Sequence, residues 1–239
     1  MSANRCFSVL ALGLLVAATR VLGLDGPDPR TPAGQLAACG GARNWRGVGY
    51  LEFEVTVTTQ GRAQGIYGYR WDRTHGYLRA AIASAARTKL DAAIDLGSKT
   101  GGAWENGQRL SGRRLTDAVS YAIQKFGEDA SWLTFPLDWG APGVTVKPLP
   151  DVPGETGAPY PAVDVQSQAG SWKVRLDPTT GRVAQTVLTR KGATMTVKWE
   201  GWQAHAGVFF AHRRRVAETG ETIDVQIHHV LPRAPADAF

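Results

Sequence analysis

The chain has 239 residues, with 27 lysines and arginines against 21 acids and a formal charge of +6 at neutral pH. That length suits one large β domain or two small ones. Its basic residues are interspersed with acids apart from "HRRRV" at 212–216, without the aromatic–basic signature of an RNA-binding sheet, so no nucleic-acid partner is expected.

Residues 1–23 read as a secretory signal. Arg5 precedes the apolar run 7–18, and Val21 and Gly23 offer small-residue cleavage positions. About twelve apolar residues fall short of the ~20 that a membrane span needs. Loss of this segment removes Arg5 and Arg20 and no acid, so the charge falls by two, to +4. The expected location is periplasmic or otherwise exported, as a soluble protein after cleavage. Cys6 lies in the signal and Cys39 is left with no partner for a disulfide. "LAAC" at 36–39 imitates a lipobox, but "LDGPDPRTPAGQ" separates it from the apolar run with polar residues and three prolines. Lipid anchoring at Cys39 is therefore not expected.

Residues 24–32 read as an extended linker, and 33–239 as a single domain. Ala33–Cys39 forms a short helix stopped by Gly40-Gly41. The period then changes to two: in "YLEFEVTVT" (50–58) Leu51, Phe53, Val55 and Val57 share one face of a half-buried strand. Further strands follow at 65–72, 76–83, 90–96 and 101–107, with Asn106-Gly107 as a hairpin turn. One long helix spans 113–130, where Leu115, Val119, Ala122, Ile123 and Phe126 recur at three- and four-residue spacing. "DASWLTFPLDW" (129–139) then fits neither period, and Pro136 lacks a backbone donor. Beyond 142 the pattern returns to strands up to "TIDVQIHHV". About ten strands in hairpin order with two or three helices predict a mainly β, α+β architecture: one curved antiparallel sheet with the helices on its concave face.

No catalytic or metal-binding motif occurs: HExxH, CxxC, GxSxG and the P-loop are all missing. Neither a cofactor nor a metal is expected, and the chain reads as a non-catalytic protein. His205 and His212 could approach across a hairpin, which leaves a hydrolase as a minor alternative. Tryptophan is more informative, at eight residues. If the helices fill the concave face, these rings are core; if they only roof it, the rings line a cavity for a hydrophobic ligand. Residues 129–139 then act as an irregular lid. The candidate lining is Trp132, Leu133, Phe135 and Trp139 from the lid, Val119, Ile123 and Phe126 from the helix, and Phe53, Val55, Trp71 and Trp199 from the sheet. "HRRR" is either a solvated strand edge or the source of an anionic-headgroup anchor at Arg214.

Several segments resemble the LolA/LolB-like family of exported bacterial proteins, in a subgroup of unassigned function. They are "CGGARNW" (39–45) entering "LEFEV", "YRWDRTHGYLR" (69–79), "AWENGQRL" (103–110), "SWLTFPLDWGAPGV" (131–144), "VRLDPTTGRV" (174–183) and "VKWEGWQAHAGVFFAHRRR" (197–215). The resemblance implies an unclosed antiparallel half-barrel with helices covering its concave side. It also implies a hydrophobic small molecule or acyl chain as ligand, with a membrane lipoprotein or envelope protein as partner. A sensor or protein-interaction module using the same concave face is the alternative. Relatives of the subgroup often place histidine where Cys39 stands, and a dedicated lipoprotein-carrier residue set is not matched.

Overall fold

The computed structural model describes residues 26–84, 88–154, 157–168, 170–190 and 193–239. The signal expected at 1–23 lies outside them. In chain order the elements are α1 (Pro32–Ala38), α2 (Ala42–Gly47), β1 (Tyr50–Thr59), β2 (Arg62–Asp72), β3 (Tyr77–Ser84), β4 (Lys89–Asp95), β5 (Thr100–Glu105) and β6 (Gln108–Arg109). Then come α3 (Gly112–Thr134), β7 (Thr145–Val152), β8 (Tyr160–Ser167), β9 (Gly170–Leu176), β10 (Val183–Arg190), β11 (Ala193–His205), β12 (Val208–Val216) and β13 (Thr222–Leu231).

All thirteen strands join one antiparallel sheet in the order β6-β5-β4-β3-β2-β1-β13-β12-β11-β10-β9-β8-β7. The count exceeds the expected ten because short pieces such as the two-residue β6 join the ladder. Two meanders are fused where β1 pairs with β13, and the outermost strands β6 and β7 do not pair, so the barrel stays open. The turn before β6 is the one the sequence predicts: Asn106 and Gly107 take φ 49° and 83°, the left-handed pair a two-residue hairpin needs. Pro148 and Pro150 lie in β7, where an edge strand tolerates residues that cannot donate.

α3 connects the two edges and lies inside the curve. Val119, Ala122, Phe126, Ala130 and Leu133 form its buried stripe, at the three- and four-residue spacing of one helical face. That stripe belongs to a core shared with β1–β5, β12 and β13. Strands β8–β12 supply most of a second core, containing Val163, Val165, Val174, Leu176, Val197 and Trp199, which Trp139 completes from beyond the helix.

A repeated device ties helices to sheet. α1 and α3 have no basic residue in their last turn, and the sheet provides one. Arg182 Nε donates to the Ala38 carbonyl at 2.9 Å and lies 3.5 Å over the Phe209 ring. Arg73, just past β2, donates to the carbonyls of Trp45 and Val48 and stacks 3.7 Å over Trp45. Arg214 Nη2 donates to the Trp132 carbonyl at 2.9 Å, 4.7 Å over the Trp199 ring. Each cation thus meets a negative helix C-terminus and an aromatic face together.

Candidate functional site: an aromatic cleft beside the long helix

α3 runs four residues past its expected end at 130, so Trp132 and Leu133 are helical and not part of an irregular lid. The helix stops where Pro136 removes a donor. A backbone N–H at 136 would have bonded the carbonyl of Trp132; Arg214 satisfies that carbonyl instead. A tight turn follows, in which the N–H groups of Leu137 and Asp138 both donate to the Thr134 carbonyl, and the Thr134 hydroxyl bonds the Asp138 carboxylate.

This turn directs Phe135 into the second core, where it is the hub of a ring cluster. Its centroid lies 5.4 Å from Trp172, 5.8 Å from Trp199 and 5.9 Å from Trp139, within the range of favourable aromatic pairs. Trp132 and Trp199 are 6.0 Å apart. Beside the cluster opens a cleft of about 630 Å³ between the second half of α3, the 135–144 segment and β8–β10.

Its two walls differ. The sheet wall follows from register: Val165 on β8 faces Trp172 on β9, which faces Leu188 on β10, so an apolar row crosses three strands, and Trp132, Phe135, Trp139 and Val144 extend it. Gln124, Gly127, Glu128 and Ser131 on α3, with Asp138, form the polar side. Asp138 is open to the cleft yet surrounded by protein, and that loss of solvent raises its carboxyl above the usual range, against the lowering effects of Thr134 and Arg73.

Of the candidate lining residues, Trp132, Phe135 and Trp139 border the cleft. Trp199 lies beneath them, buried and bonded through Nε1 to the Thr186 hydroxyl at 3.1 Å. Phe53, Val55, Val119, Phe126 and Leu133 are buried in the first core, with Trp71 and Ile123 packed against it. Arg214 is fully buried and is not among the cleft residues; burial pushes its guanidinium down to about 9. Val144, Val165, Trp172 and Leu188 were not anticipated as lining. The signal for them was strand alternation in 162–190 combined with a register that no sequence pattern supplies.

Two further groups lie on the concave side. Asp129 accepts from Tyr69 Oη at 2.7 Å and from Lys125 Nζ at 2.5 Å; desolvation raises its carboxyl in spite of Lys125. His205 and His212 do meet, with their Nε2 atoms 2.9 Å apart. Among the described residues no group of three or more His, Cys, Asp or Glu side chains is placed to hold a metal, and no helix is long and apolar enough to cross a membrane. Cys39 is buried, and burial raises its thiol to about 12.

The architecture, a thirteen-stranded open antiparallel sheet wrapped around helices, is the LolA-like fold. The crystal structure of LolA superfamily protein NE2245 from Nitrosomonas europaea is similar at a TM-score of 0.52 and 12% identity, covering 87% of this chain and 96% of that one. The Mycobacterium tuberculosis lipoprotein LppX is more distant, at 0.38 and 7% over 88% of this chain and 100% of its own. The complex of Pseudomonas aeruginosa MucA and MucB reaches 0.27 and 12%, over 86% of this chain but only 59% of the other. No protein-family model and no curated protein matches the chain.

Proposed function

We propose that the protein is a non-catalytic, exported binding protein that holds a lipid or other acyl-bearing molecule in the aromatic cleft. The observation that carries this reading is the apolar wall of Val165, Trp172 and Leu188 facing open space of about 630 Å³, inside the ~300–1,000 Å³ range of ligand sites. Each methylene removed from water contributes ~0.8 kcal/mol. Ten of them give a gross ~8 kcal/mol, enough to offset part or all of an association cost of ~4–15 kcal/mol. One fold hosts many functions, so the cleft carries the reading and the likeness to LolA superfamily protein NE2245 only agrees with it. Export is part of the proposal, through the signal at 1–23.

A dibrominated C16 acyl chain tests it, because bromine quenches nearby tryptophan emission and Trp132, Trp139 and Trp172 border the cleft. Saturable quenching is expected in the wild type and loss of it in Leu188→Arg, whose charge enters the apolar row. Absence of quenching in a folded wild type, or quenching that Leu188→Arg leaves intact, overturns the reading. Native mass spectrometry of protein taken from its own envelope then identifies the ligand.

A further inference from the structure

We propose that His205 and His212 form a two-histidine site for a divalent transition cation of the Cu(II) or Ni(II) kind, completed by water. The pair lies outside the cleft residues, and the proposal is independent of the lipid reading. His205 is the last residue of β11, next to the turn at Ala206 and Gly207. His212 lies on β12 near Gly201, which takes a left-handed φ of 67°. Both rings are half-buried, so solvent reaches them.

Geometry singles out this pair. Metal–imidazole bonds of about 2.0–2.1 Å at a right angle place two cis nitrogens about 2.9 Å apart, and tetragonal N/O sites belong to Cu(II) and Ni(II). The observed Nε2–Nε2 separation is 2.9 Å. The ring planes are only 20° apart with centroids at 5.0 Å, so the two nitrogens share one proton in a hydrogen bond, and a small tilt of each ring turns both lone pairs toward a common cation. One ring donates through Nε2 and the other accepts. On binding a cation the donating ring must move its proton from Nε2 to Nδ1 through solvent, so both rings stay neutral and no net proton is released. Burial already favours the neutral form of each ring. Arg214, two residues along β12, opposes the added charge, and the metal keeps open positions for water because no third ligating side chain joins the pair among the described residues.

The site is tested in an untagged chain carrying His228→Ala and His229→Ala, which removes the adjacent pair of histidines on β13. Titration with CuCl2 and NiCl2 should show saturable uptake of one equivalent, tighter for Cu(II), and the Cu(II) spin-resonance spectrum should show coupling to two imidazole nitrogens. His205→Ala and His212→Ala should each weaken uptake at least tenfold, with unchanged circular dichroism. If His212→Ala fails to fold, His205→Ala, beside an exposed turn, carries the comparison. No saturable uptake, or equal uptake in a folded His205→Ala variant, overturns the site.

Discussion

Replacing Arg214 by methionine isolates the most unusual interaction in the fold. The guanidinium is fully buried, and its Nε and Nη1 have no hydrogen-bond partner. Its depression from 12.5 to about 9 corresponds to ~5 kcal/mol disfavouring the charged form. Against that stand the bond to the Trp132 carbonyl and the stack on Trp199. Leaving a buried carbonyl unpaired costs ~1–3 kcal/mol, and a desolvated cation–π contact contributes ~2 kcal/mol. These nearly cancel, so Arg214→Met should lie within ~2 kcal/mol of the wild type in urea unfolding at unchanged slope. The sharper quantity is its coupling to Pro136. Pro136→Ala restores an N–H four residues after Trp132. In the wild type that donor finds its carbonyl already bonded, and the change should be destabilising by ~0.4–1 kcal/mol through the freer unfolded chain. In the Arg214→Met background the same N–H satisfies an orphaned carbonyl and should be more favourable by ~1–3 kcal/mol. A double-mutant cycle with coupling below ~0.5 kcal/mol, the error of additivity, would refute the idea that Arg214 replaces the donor that proline lacks.

Arg182→Met should cost ~1–3 kcal/mol, because it uncaps the Ala38 carbonyl and unstacks Phe209; hydrogen exchange should show α1 loosening first. Asp129 has a folded value raised above 3.8 by desolvation, so the folded state binds its proton more tightly than the unfolded one. Its contribution is fully present below pH 3.8 and is lost as pH rises through the raised value. Asp138 acts in the same direction, so Asp129→Asn with Asp138→Asn should flatten this part of the stability–pH curve. A curve unchanged by the pair would show that neither carboxyl is perturbed. Trp172→Ala removes the ring 5.4 Å from Phe135 and should weaken binding of the brominated acyl probe at least tenfold while costing under ~3 kcal/mol of stability, since the residue is half-buried.

The fold was legible because its local signals agree. Leu51, Phe53 and Val55 alternate as a strand with one buried face and are buried on it, and Val119, Ala122 and Phe126 keep helical spacing and are the helix stripe. The site was legible only in part, because the same residues that advertise a greasy surface do not say which core they join. Phe53 and Phe126 look as suitable for a cavity wall as Trp172 does; what separates them is that both are packed in the core that the buried stripe of α3 closes, whereas Trp172 borders the cleft. Residues 131–134 were harder still. Pro136 argues for a break, yet a proline just after a helix costs only the donor of one bond, and an arginine 82 residues away takes that donor's place. Long-range compensation of this kind leaves no trace in a local window.

Element dimensions explain why space remains beside α3. Thirteen strands at ~4.8 Å spacing make a sheet about 58 Å wide, whereas one helix with its side chains is ~10–12 Å across. Curling the sheet brings strands from both halves onto the helix, but the stripe 119–133 can face only one way, and it faces the core built on β1–β5. α1 and α2, seven and six residues long, are held by Arg182 and Arg73 through the carbonyls of Ala38 and of Trp45 and Val48, and neither supplies a residue to the cleft. Cover for β8–β10 therefore falls to Phe135, Trp139 and Val144 from the loop after α3, side chains without a helix behind them. A loop of this kind buries less of a sheet face than a packed helix does, and the residues left half-covered are Trp172 and Leu188. Among the described residues no second long helix covers that face, and the proposed apolar ligand would complete the core there.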